Sequence, residues 1–170
     1  FGGELLMVRN CHKSVYHAAY LRQIKLHYIY PDRVKNFDIF EAVTPQQVAK
    51  ALEEFPDVAA VLIVSPTYEG RIADVKAIAE LVHKRGLPLI VDEAHGAHLG
   101  FSAEFALNSA RLGADLVINS VHKTLPAMTQ AALLHVNGQR IDRQLLRRFL
   151  RIYQTSSPSY VLMSSIEEAV

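Results

Sequence analysis

A chain of 170 residues that is 50% hydrophobic and 21% charged has the composition of a globular domain with one sizeable core, which excludes disorder. Its net charge is +1, and the 18 basic residues are spread along the chain, so nothing argues for nucleic acid or a membrane surface as a partner. A single cysteine, Cys11, excludes an internal disulfide and a cysteine-based zinc site, and a reducing cytoplasm is the expected compartment.

In chain order, the short β-rich run "ELLMV" (4–8) reads as a strand and "KSVYHAAYLRQI" (13–24) as a helix. A strand "HYIY" (27–30) follows, then a helix over 44–55, with Thr44 as N-cap and Pro45 in its first turn. The strand "AAVLIV" (59–64) leads to a helix over 72–86 closed by Gly86, whose Val75, Ile78, Ala79 and Val82 recur at helical spacing. Three further strands are expected at 87–92, 114–119 and 131–136. The cluster "RRFLR" (147–151) reads as a solvated helix face, and the closing "SSIEEAV" as helical.

No apolar stretch approaches the roughly 20 residues needed to span a bilayer, and the first residues lack the pattern of a signal peptide. A start at Phe1 and an end inside a helical pattern lead us to expect a piece of a longer protein.

Alternating strands and helices predict an α/β fold: a three-layer α/β/α arrangement around a mostly parallel sheet, one domain over 1–170. In such sheets ligands sit at the carboxyl ends of the strands. The polar stretches directly after strands, "RNCHKS", "SPTYEG", "DEAHGAH" and "SVHKT", should therefore converge on one crevice.

"LIVDEAHGAH" sets Asp92, Glu93, His95 and His98 at a strand exit. Alone it fits a metal site, a general-base site or an ordinary polar loop, and no third metal ligand is picked out, so no metal is expected. The chain contains no Gly-X-Ser-X-Gly elbow, no Gly-X-X-X-X-Gly-Lys phosphate loop and no Gly-X-Gly-X-X-Gly fingerprint. An aspartate at one strand end and a lysine, Lys123, beyond another remain. Pyridoxal phosphate needs such a pair: an amine to carry it as a Schiff base and a carboxylate to keep its ring nitrogen protonated.

In this order, "RNCHKS", "SPTYEG", "VDEAHGAH", "SVHKTLPAMTQAALLHV" and "TSSPSYVLMSS" resemble the major domain of the Orn/Lys/Arg decarboxylases, of the aspartate aminotransferase fold (fold type I). The resemblance covers nearly the whole chain. It implies a pyridoxal 5'-phosphate-dependent decarboxylase converting lysine, ornithine or arginine to the amine and CO2, as in polyamine biosynthesis. Lys123 would be the Schiff-base lysine and Asp92 the partner of the pyridine nitrogen. His12 would stack on the ring, and His95 would stand beside its phenolic oxygen. Ser120 and His122 would contact the phosphate, and Ser156 the phosphate of a neighbouring subunit, which implies a homodimer or larger homo-oligomer with a shared site.

Measured against the family, the phosphate-binding segment upstream of "RNCHKS" and the small carboxy-terminal domain are absent from these 170 residues. The piece by itself is therefore not expected to turn over substrate. Two alternatives stay open: another reaction on the same fold, such as transamination, and a non-catalytic member of the fold.

Each residue also has an ordinary reading. Lys123 could be a solvated strand-end lysine, Asp92, Ser120 and Ser156 local caps, and His12 a neighbour of a helix capped by Asn10. Cys11 reads as a small buried hydrophobe, and Glu93 as either an orienting group or a solvated one.

Overall fold

The computed structural model describes residues 3–170; Phe1 and Gly2, which the expected domain over 1–170 includes, lie outside the described residues. Six strands form one sheet: β1 (Glu4–Val8), β2 (Lys25–Ile29), β3 (Ala60–Val64), β4 (Leu89–Asp92), β5 (Leu116–Asn119) and β6 (Leu133–Val136). Their order is β2-β1-β3-β4-β5-β6, all parallel neighbours except the antiparallel pair β5 and β6. The chain thus builds the sheet outward in one direction from β1 to β2, then in the other from β3 onward. A reversal of this kind leaves a crevice at the strands' carboxyl ends.

The helices between the first strands are α1 (Lys13–Arg22), α2 (Pro45–Glu54) and α3 (Val75–Lys84). Thr44 and Gln47 form a reciprocal capping box at the start of α2, with Pro45 in the first turn, as expected. Helix α3 starts at Val75 rather than 72, because the Asp74 side chain accepts a hydrogen bond from Ala77 N (3.1 Å) and sets the cap there. Its Val75, Ile78, Ala79 and Val82 are at most 2% exposed, and each fully buried Val or Ile stabilises the fold by about 1.5–3 kcal/mol. After α3, Gly86 adopts φ +73°, a conformation that favours glycine.

Among the other expected boundaries that move, two have clear local reasons. Helix α1 stops at Arg22, since Gln23 turns left-handed (φ 51°) and donates its N–H back to Ala19 O and Tyr20 O. Strand β2 starts at Lys25, two residues before the apolar run, because Glu4 of β1 accepts from Lys25 Nζ (3.0 Å) and from His27 Nε2 (2.6 Å) in the register Glu4↔Lys25.

Between β4 and β5, residues 93–115 form turns without a regular helix. Asp115, 2% exposed, closes this stretch by accepting from Leu89 N and His83 Nε2, both at 2.8 Å. A single helical turn, α4 (Val121–Thr124), follows β5, and α5 (Arg143–Tyr153) and α6 (Tyr160–Ala169) end the chain. No residue of α5 or α6 is buried, so "RRFLR" does lie on a solvated helix. No described helix is long and apolar enough to cross a membrane.

Candidate active site

A cleft of about 460 Å³ opens at the carboxyl ends of the four central strands. Asn10, His12 and Ser14 reach it from the β1 exit, and Val64, Pro66 and Tyr68 from the β3 exit. Asp92, Ala94 and His95 line it from β4, and Ile118, Ser120 and Lys123 from β5. The four polar stretches expected to converge do so. Its volume falls in the range that holds a small-molecule ligand or cofactor.

Asp92 ends β4 in register with Ile118 of β5. Its Oδ1 accepts from Ala94 N (3.1 Å), so the local turn bond of the ordinary reading coexists with a place in the cleft. Behind it, Cys11 packs in the hydrophobic core. Burial, and secondarily the Asp92 charge, push its thiol up to about 12, which keeps it protonated and unreactive at neutral pH.

Lys123 is solvated, as in its ordinary reading, and still lines the cleft. The turn α4 carries it past the end of the sheet, where it is exposed and lines the open cleft. Ser120 occupies the N-cap position of α4 but makes no side-chain cap bond, leaving its hydroxyl to the cleft.

His12, not Asn10, caps α1: its Nδ1 accepts from Ser14 N (3.3 Å) and lies 2.9 Å from Ser14 Oγ. The helix begins at Lys13, two residues later than a cap at Asn10 would start it. That bond puts the ring proton of a neutral His12 on Nε2. His95 stands edge-on to Tyr68, with ring centroids 5.5 Å apart. Its pKa is lowered from 6.5, first by burial and then by the Lys123 charge, against opposing pulls from Asp92 and Glu69. It is a neutral imidazole at neutral pH.

Two expected site residues stand apart from the cleft within this chain. His122 Nδ1 donates to Ala131 O (2.9 Å), which ties the residue to the segment before β6. Ser156 is exposed in the connection between α5 and α6.

Three features escaped sequence reasoning. Asn10 Oδ1 is buried at the cleft and accepts no hydrogen bond among the described residues; its position after a strand was the only signal. Tyr68 lines the β3 side. Glu93 does not face water: it is 0% exposed and bonded to Ser109 and Asn119. The turn after it is close-packed, since a Cβ on Gly96 would come within 2.6 Å of Glu93 Cγ and 2.8 Å of Pro66 Cδ.

A mostly parallel sheet with an amine, a carboxylate and two imidazoles at its carboxyl edge shares the aminotransferase fold. N-succinyldiaminopimelate aminotransferase from Mycobacterium tuberculosis superposes with a TM-score of 0.69 at 21% identity, over 99% of this chain and 44% of that one. The chain belongs to the Orn/Lys/Arg decarboxylase family, matching its major domain over residues 1–170. It is 41% identical over 169 residues to YaaO of Bacillus subtilis (strain 168), a protein described as uncharacterized, covering 99% of this chain and 35% of YaaO. Arginine decarboxylase of Bacillus cereus (strain ATCC 14579) is 35% identical over 168 residues, covering 99% of this chain and 36% of that enzyme. The chain thus spans about a third of the length of these relatives.

Proposed function

We propose that this chain is the cofactor-holding part of a pyridoxal 5'-phosphate-dependent decarboxylase that acts on a basic amino acid. The observation that carries the reading is the meeting of Lys123 and Asp92, from different strand ends, in one cleft beside His12 and His95.

The donor set suits the cofactor. Lys123 would hold it covalently through Nζ. Asp92, with Oδ1 engaged by Ala94 N, keeps Oδ2 for the pyridine nitrogen and would hold the proton there. His12, with Nδ1 occupied at the helix cap, would stack on the ring. His95, neutral, would stand near the phenolic oxygen, and Ser120 would serve the phosphate, whereas His122, held to Ala131 O, stands outside this cleft. Pyridoxal phosphate, when bound, supplies an electron sink for the pair left behind as the α-carboxylate departs. The chain's own part is to orient the ring, keep its nitrogen protonated, and admit the substrate amine at Lys123.

Ser156, exposed and away from this cleft, suits a role in the phosphate site of a second copy, which makes the working form a homodimer or larger assembly in the cytoplasm. The family's name leaves arginine, lysine and ornithine as substrates, and similarity to an arginine decarboxylase puts arginine first.

The test is CO2 release by the full-length protein, supplied with pyridoxal phosphate, from arginine, lysine and ornithine in turn. Release from one of the three with formation of its amine supports the reading. Amino-group transfer to a keto acid without CO2 release would replace it with transamination.

A further inference from the structure

The least accessible carboxyl group at the site is the one next to Asp92. Glu93 is 0% exposed, and both of its oxygens face donors. Oε2 accepts from Ser109 N (2.7 Å) and from Ser109 Oγ, while Oε1 accepts from Asn119 Nδ2 (3.1 Å). The same Asn119 amide also donates to Glu93 O (3.0 Å), and Glu93 N donates to Ile118 O (2.9 Å). Asn119 is itself 5% exposed and is the last residue of β5. One residue on, Ser120 O accepts from Lys123 N (3.0 Å). The chain of bonds therefore runs from the residue beside Asp92, across the strand ends, to the turn that bears Lys123.

Burying a carboxyl group is costly unless donors compensate it, and a fully satisfied buried network holds its members in one arrangement. The core needs no such group at this point, since a neutral apolar residue could fill the space. What the group adds is a fixed distance between two strand ends. We propose that Glu93 is a positioning residue: through Asn119 it sets where Lys123 stands relative to Asp92. The inference rests on the reading of Lys123 and Asp92 as the cofactor's two anchors. The Ser109 arm of the same carboxyl group fastens the turns after β4 and does not lead to Lys123, so the two arms separate positioning from simple stability.

The test uses the full-length protein with pyridoxal phosphate bound and the variants Glu93→Gln, Asn119→Ala and Ser109→Ala. The pH midpoint of the bound cofactor's absorption reports the surroundings of Lys123 Nζ. It should move by about half a unit or more in Glu93→Gln and Asn119→Ala, with kcat down about tenfold and KM changed less than about threefold. Ser109→Ala should lower the thermal midpoint and leave the pH midpoint in place. Asn119→Ser replaces the alanine variant if that one does not fold. An unmoved pH midpoint in the Glu93 and Asn119 variants, with cofactor still on Lys123, overturns this inference alone. An equal shift in all three overturns it too, because the network would then act only on the fold as a whole. A wild-type protein that attaches no cofactor at Lys123 removes the underlying reading, and this inference with it.

Discussion

Asp92 is the last residue of β4, and Lys123 lies four residues beyond the end of β5, the strand hydrogen-bonded beside it. Parallel pairing points both strands the same way, so their exits share one side of the sheet, and α4 swings Lys123 over the cleft that Asp92 lines. The acid and the amine meet because of strand order, not because they are close in sequence.

The Lys123 charge is one of the causes that lower the His95 pKa. Replacing Lys123 by Met in the full-length protein should therefore raise the His95 midpoint toward 6.5, and Asp92→Asn should lower it further. The imidazole signals followed by NMR across pH 5–8 check both signs.

Asp92 also bears on Cys11, whose thiol lies at about 12 partly because of that carboxylate. In Asp92→Asn the Cys11 thiol pKa should fall, though burial, its larger cause, keeps it above the ordinary value. Alkylation rates against pH measure the change. The same substitution should lower kcat by about 10²–10⁴-fold if Asp92 holds a proton on the cofactor.

Gly96 sits where any Cβ collides with Glu93 Cγ and Pro66 Cδ. Gly96→Ala should cost about 1–3 kcal/mol as the turn shifts to relieve the overlap. Urea denaturation of the full-length protein measures the loss.

At the outer strand, hydrogen bonds from His27 and then Lys25 lower the Glu4 pKa below 4.5. A carboxyl group depressed in the folded state binds fewer protons there than in the unfolded chain. Its stabilising effect is complete above about 4.5 and is lost as pH falls through the lower folded value. Amide exchange in β2 should accelerate over that acid range in the wild type, and Glu4→Gln should flatten the dependence.

The six strands were legible because buried parallel strands leave near-continuous apolar runs, and the convergence of the polar stretches followed from the strand-end rule. The start of β2 was not, because Lys25 joins it through a bond to Glu4 on another strand. The turn α4 was too short to show a helical period. Glu93 stayed undecided because its partners, Ser109 and Asn119, come from distant parts of the chain and meet it only in the fold. The capping role of His12 was equally hidden, since Asn10 is the commoner cap type and only the bond from Ser14 N to His12 Nδ1 decides between them. His122 and Ser156 entered through family likeness, and this chain's cleft does not include them.

The most direct measurement is to reduce the full-length protein with borohydride in the presence of pyridoxal phosphate and map the modified peptide by mass. The account predicts a single cofactor adduct on Lys123, lost in Lys123→Ala. A protein that binds no cofactor, or carries it on another lysine, would contradict it.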